Sequence, residues 1–160
     1  MTTEQITEIL RLHALWLNKL PNGIRADLID ADLSGQDLSG VNLHDANMRG
    51  TNLSHSNLTG TDLSLADLYG ANLSSADLTG ANLSYTYLNT SNLNYAKLHG
   101  ANLTGAYLND SHLDNIDFHN TTNPYTTFLI GPASPHAHTT DPPQPRPDRG
   151  DTDLQNTYTR

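Results

Sequence analysis

A narrow, turning β-solenoid with a leucine core is the fold that this sequence predicts, and three observations lead to it. From Leu28 to Phe118 an apolar residue recurs at every fifth position: seventeen Leu, with Met48 and Phe118 in the other two of nineteen slots. Two residues before it, in sixteen of the nineteen units, stands a small side chain, Ala in ten and Ser or Thr in six. A period of five also fits neither regular element. On an α-helix, at about 100° per residue, every fifth side chain steps by roughly 140° and spreads around the axis. On a flat strand, an odd period sends successive side chains to opposite faces. Only a chain that turns a corner in every unit points all of these residues inward.

The remaining positions of the unit follow from that geometry. Asp or Asn precedes the apolar residue in fifteen of nineteen units, Ser or Thr frequently follows it, and Gly comes next in eight. These are the residues that form tight turns at low cost. Stacked coils then satisfy one another's backbone groups, as solenoids do. Gln36, Val41 and Ile116 are the bulky exceptions in the small slot.

Units such as Ala31-Asp32-Leu33-Ser34-Gly35 and Ala101-Asn102-Leu103-Thr104-Gly105 resemble those of the pentapeptide-repeat family, which read roughly Ala-(Asp/Asn)-Leu-x-x. The resemblance implies an all-β fold, a right-handed quadrilateral parallel β-helix with four units per coil. Nineteen units then make nearly five coils, about 23 Å of stack at a strand spacing of about 4.8 Å. In that register Gln36, Val41 and Ile116 fall in the first and last coils, where the stack is open.

The stack needs ends. Residues 1–25 are expected to form an N-terminal α-helical cap. Ile6, Ile9, Leu10, His13, Trp16 and Leu17 lie on one stripe of a helix over 4–18, Thr2 and Gln5 read as a capping box, and Pro21-Asn22-Gly23 closes the segment. His13 on that stripe is expected to be a packed histidine with a hydrogen-bond partner. Residues 26–120 form the repeat domain. Residues 121–130, with the apolar run Pro124–Ile130, are read as a C-terminal cap, and an end-to-end homodimer is the other use of that run. Residues 131–160 hold six Pro and almost no aliphatic residues, which predicts a disordered, extended tail.

Composition narrows the function. The hydrophobic fraction of 36% and net charge of −9 would suggest disorder, were the apolar residues not so regularly placed. Residues 26–120 carry eleven Asp against Arg49 and Lys97, so the repeats hold essentially the whole charge. Direct binding to nucleic acid is therefore not expected, because phosphate contacts need Lys and Arg. With no Cys, disulfides and thiolate metal sites are excluded. No membrane span and no signal segment are read, so the expected location is cytoplasmic.

No insertion between units builds a cleft, so the expectation is a protein that is not an enzyme, with no catalytic residue, cofactor or metal. His99 and His119 are twenty residues apart and stack in one outward slot, but two imidazoles do not make a metal site. The candidate interaction surface consists of Asp27, Asp32, Asp62, Asp67 and Asp77 together with Tyr85, Tyr87 and Tyr107. Tyr87 and Tyr107 replace Asp/Asn in adjacent coils, with Tyr85 at the preceding corner; a stacked aromatic ladder that stabilises the coils is the first reading of them and a binding patch the second. The leading expectation is a non-catalytic interaction or scaffold module that binds a protein partner through the outer face of an acidic rod. The alternative comes from the resemblance, since that family includes quinolone-resistance proteins whose acidic rod imitates DNA. It is a DNA-mimic inhibitor or protector of a type II topoisomerase, with DNA gyrase as the partner.

Overall fold

The computed structural model describes residues 1–122. The expected cap at 121–130, beyond its first two residues, and the tail at 131–160 lie outside the described residues. One α-helix, α1 (Thr3–Leu17), precedes the repeats. Thr2 is its N-cap, and a capping box forms: the Thr2 side chain accepts from Gln5 N–H, and the Gln5 side chain accepts from Thr2 N–H. The chain turns back after Asn18 with Lys19 and Asn22 at positive φ. Gly23 then passes against the helix so closely that an added Cβ would lie 2.3 Å from the Trp16 backbone nitrogen. Only glycine fits there.

From Asp27 to Asn102, each residue before the core residue bridges in parallel to the residue twenty positions later. Four five-residue units therefore make one coil, as expected. The bridges define four sides: Asp27, Asn47, Asp67, Tyr87 and Tyr107 on side 1; Asp32, Asn52, Asn72, Asn92 and His112 on side 2; Asp37, Asn57, Asp77, Lys97 and Asp117 on side 3; Asn42, Asp62, Asn82, Asn102 and Thr122 on side 4. The last bridge, Asn102 to Thr122, carries the stack just past the expected boundary at residue 120.

The expectation of β-strands needs a correction. Among the described residues the coils pair through isolated single-residue bridges, without extended strands. The unit is the reason, because two of its five residues are used in a turn and the chain changes direction before a strand can grow. Nearly every turn is closed by the small residue's N–H donating to the carbonyl of the preceding core residue, as from Ala31 to Leu28 at 3.1 Å. Its third residue has positive φ in every unit, as a type II turn requires. Glycine fills that position in eight units, but Asp, Asn, His, Leu, Ser, Thr and Tyr fill it in the others.

Inside, the Leu column from Leu33 to Leu93 is buried throughout, with Met48 in line. The occasional Ser or Thr in the small slot has a defined task. Thr51, Thr61 and Thr86 donate their hydroxyls to the carbonyls of Leu28, Leu38 and Leu63 in the coil below, at 2.7–2.8 Å. A buried hydroxyl thus finds an acceptor and does not stand unpaired. Val41, Ile116 and Phe118 are partly buried against the core in the end coils.

Helix α1 packs on the first coil. Ile6 joins the buried apolar cluster of the solenoid, with Ile9 and Leu10 against it. His13 is fully buried, its ring stacked on Trp16 at 5.5 Å, and its Nδ1 accepts the Ala26 N–H at 3.0 Å. In the units that follow, that N–H is taken by a core carbonyl of the preceding turn. The first unit has no preceding turn, so an imidazole nitrogen stands in for the missing carbonyl.

Candidate interaction surface

The outward position before each core residue does two jobs. Its side-chain oxygen accepts the backbone N–H two residues on, as Asp32 does from Ser34 at 3.1 Å and Asn72 from Ser74 at 3.2 Å. This Asx-turn geometry holds the corner. Asparagines also donate down the stack. Asn47 donates to Asp27, Asn52 to Asp32, Asn57 to Asp37, Asn82 to Asp62, and Asn72 and Asn102 to the Asn below each, all at 3.0–3.2 Å.

The five aspartates singled out in the sequence do not form one patch. Asp27 and Asp67 stand on side 1, Asp32 on side 2, Asp77 on side 3 and Asp62 on side 4. Each is engaged. Besides the turn N–H, Asp27, Asp32 and Asp62 receive an Asn from the coil above, Asp67 receives Arg49 at 3.4 Å, and Asp77 receives Lys97 at 3.2 Å. Hydrogen bonds from the Ser34 side chain and backbone, and from Asn52, hold the Asp32 carboxyl below its ordinary range. Those from Ser39 do the same at Asp37. At Asp77 the Thr79 side chain lowers it most, with help from the Thr79 backbone and Lys97.

The tyrosines do converge. Tyr87 and Tyr107 stack on side 1 with ring centroids 5.1 Å apart and planes within 5°. Tyr69 lies on the trailing corner of the same side, and the Arg49 guanidinium sits 4.5 Å above its ring centre. Tyr85 occupies the corner that leads into Tyr87, and its ring covers the next coil, where a Cβ on Gly105 would come within 2.6 Å of it. Tyr69, Tyr85 and Tyr107 are 38%, 53% and 47% exposed. Sequence reasoning misses Tyr69 and Arg49, although they too are twenty residues apart, because they stand in the variable position after the core residue, where the unit pattern sets no expectation to depart from. Tyr95 is also exposed but follows side 2, away from this group.

His99 and His119 stack at 5.6 Å, as their spacing predicts. Among the described residues no group of three or more His, Cys, Asp or Glu is placed to hold a metal. No helix of the described residues is long and apolar enough to cross a membrane.

Comparison with known proteins places the chain. The family described as pentapeptide repeats matches in eight copies, over residues 26–64, 47–84, 71–110 and 101–122. Among solved structures, the pentapeptide repeat protein Rfr23 from the cyanobacterium Cyanothece 51142 is 41% identical, with a TM-score of 0.55. That match covers 57% of this chain and 63% of Rfr23, so the chain spans less than two thirds of that protein. The pentapeptide repeat protein alr5209 from Nostoc PCC 7120 is 30% identical over 71% of this chain and 93% of its own, with a TM-score of 0.38. QnrB1, described as a plasmid-mediated fluoroquinolone resistance protein, is 20% identical over 62% of this chain and 66% of its own, with a TM-score of 0.26. No curated protein matches. The family match and the likeness to Rfr23 imply a right-handed β-helical solenoid, and the twenty-residue register supplies its four sides. On the match across residues 26–122, this chain belongs to the pentapeptide-repeat family.

Proposed function

We propose that this chain is a non-catalytic interaction module that binds a protein partner through side 1 of the solenoid. The tyrosine group carries the reading. Tyr87 and Tyr107 stand where fifteen units have Asp or Asn, and Tyr85 stands in a left-handed turn position where eight units have Gly. The turn does not ask for tyrosine at any of the three. Exposed tyrosine is enriched at protein interfaces because a rigid ring offers contact area at low entropic cost. Elsewhere the described surface of the rod is mostly amides, hydroxyls and glycine in regular turns, without a cleft in which a reacting group would be shielded from water. The test compares the proteins retained by immobilised wild-type chain with those retained by Tyr87→Ala/Tyr107→Ala. A partner that binds both equally would remove the tyrosines from the site.

The second reading, mimicry of DNA towards a type II topoisomerase such as gyrase, is favoured by one observation: carboxylates stand on all four sides, so the rod is negative all round. It predicts inhibition of gyrase supercoiling that weakens steeply with salt and vanishes when Asp27, Asp32, Asp62, Asp67 and Asp77 are changed to Asn. The tyrosine reading predicts that the same variant keeps its partner.

A further inference from the structure

Side 1 holds one filled example of the recognition it offers. Arg49 lies over the Tyr69 ring at 4.5 Å while its Nη1 meets Asp67 Oδ2 at 3.4 Å. A planar guanidinium is suited to this double contact, flat on a ring and edge-on to a carboxylate, whereas a lysine ammonium is a compact, strongly hydrated charge. Two coils up on the same side a tyrosine and an aspartate stand again with their slots exchanged and with no arginine of the described residues beside them, Tyr107 in the outward slot of Asp67 and Asp110 at the trailing corner. Tyr107 is 47% exposed and among the described residues stacks on Tyr87 alone, and Asp110, three residues on at the trailing corner, is exposed. Arg49 is also the one cation on side 1 and its trailing corner, against Asp27, Asp30, Asp67 and Asp110.

We propose that the upper end of side 1 takes an arginine side chain from a basic segment of a protein partner, stacked on Tyr107 and paired with Asp110. The inference rests on the tyrosine-face reading above and adds the chemistry of the bound side chain. Charge complementarity supports a basic occupant, since the repeats carry −9 from eleven Asp against Arg49 and Lys97. The arrangement around Arg49 supports arginine over lysine.

The test uses two synthetic probes, an octa-arginine and an octa-lysine peptide, titrated calorimetrically into the full chain at physiological salt. The expected result is about fivefold tighter binding of the arginine peptide. That preference should fall to parity in Tyr107→Leu and in Asp110→Asn. Leu preserves apolar bulk without the aromatic face, and Asn already occupies the Asp110 turn position in neighbouring units, at Asn115 and Asn120. Asp32→Asn/Asp77→Asn on sides 2 and 3 should weaken both peptides and keep the preference. Equal binding of the two peptides by the wild-type chain, or a preference that survives both side 1 variants, overturns the arginine assignment. Either failure leaves the tyrosine-face reading to its own test, because partner retention in Tyr87→Ala/Tyr107→Ala is read without these peptides.

Discussion

Replacing or protonating His13 should loosen the junction between α1 and the first coil, and the two perturbations should act through the same atom. Nδ1 accepts the buried Ala26 N–H at 3.0 Å, so it must carry a lone pair, and the ring must be neutral. Burial pushes the His13 pKa down, and the Arg25 charge adds to the effect, as does the charge of His44. The His44 backbone and the Asp45 carboxylate oppose the shift, and Nε2 has no hydrogen-bond partner among the described residues. A histidine whose folded pKa is depressed binds protons more readily when unfolded. Its contribution is therefore fully present above the unfolded value of about 6.5 and is lost as pH falls through the folded value, at up to about 1.4 kcal/mol per pH unit. In His13→Ala, the Ala26 N–H loses its acceptor at a cost of about 1–3 kcal/mol, and a buried ring is removed besides. Trp16, the sole tryptophan, stacks on His13 with planes 12° apart and reports on the junction by fluorescence. Wild-type protein should lose melting temperature and shift its Trp16 emission between pH 7 and pH 5. His13→Ala should start less stable and show a much flatter profile over that window. Asp32, Asp37 and Asp77, with lowered pKa values, titrate below it. Parallel pH profiles for the two proteins would refute the assignment of Nδ1 as the acceptor that completes the first turn.

Three further substitutions probe the solenoid. Leu73→Asp puts a carboxyl at a position with no exposure, costs several kcal/mol and should abolish cooperative melting by circular dichroism; an unchanged melt would show that the slot is not internal. Gly105→Ala should destabilise more than Gly80→Ala, although both have φ of +67, because only at Gly105 does the new Cβ meet a neighbour, the Tyr85 ring. The Gly80 change should cost about 1–2 kcal/mol from the left-handed backbone alone, and equal losses would mean that the ring moves away freely. Asp62→Asn should be nearly neutral in thermal denaturation, while Asn82→Asp should cost about 1–2 kcal/mol by placing a carboxylate against Asp62; the reverse order would contradict the downward direction of the amide ladder.

Much of the fold is legible in the amino-acid sequence. The five-residue period places every core residue, and the four-unit coil that the family resemblance implies turns sequence spacing into neighbours, which is why the Tyr87–Tyr107 and His99–His119 stacks are predictable. The capping box at Thr2 and the burial of His13 are legible because helix stripes and caps are local. Three features are not. Single bridges occur where the fold class implies strands, because the share of each unit used in turning depends on dihedral angles. The pairing of His13 with Ala26 is hidden because it joins two elements with no shared period. The aspartates read as one acidic surface because they cluster along the chain, whereas the coil sends successive units to different sides.

The amide ladder gives those aspartates a physical origin. An Asn in the ladder donates to the residue below and accepts from the residue above, so the bottom rung needs no donor and Asp suits it. Three of the four bottom rungs are Asp27, Asp32 and Asp37, each receiving an Asn from the second coil. Higher in the stack an Asp has nothing to give downward. Below Asp67, the Asn47 Oδ1 is buried without a partner, and below Asp77, the Asn57 Oδ1 keeps the Thr59 turn N–H and takes the Thr59 hydroxyl in place of a donor from above. Asp67 and Asp77 are compensated by Arg49 and Lys97, the only two cations between residues 26 and 120. The acidity of the first coil thus follows from the direction of its hydrogen bonds, and it argues less for an acidic docking site than its density along the sequence suggests. Tyr85, Tyr87 and Tyr107 have no such explanation in the turn or the ladder. Stacking between adjacent coils gives Tyr87 and Tyr107 a structural use of their own, and the proposed partner contact adds a second reason for aromatic rings where an amide or a glycine completes the coil.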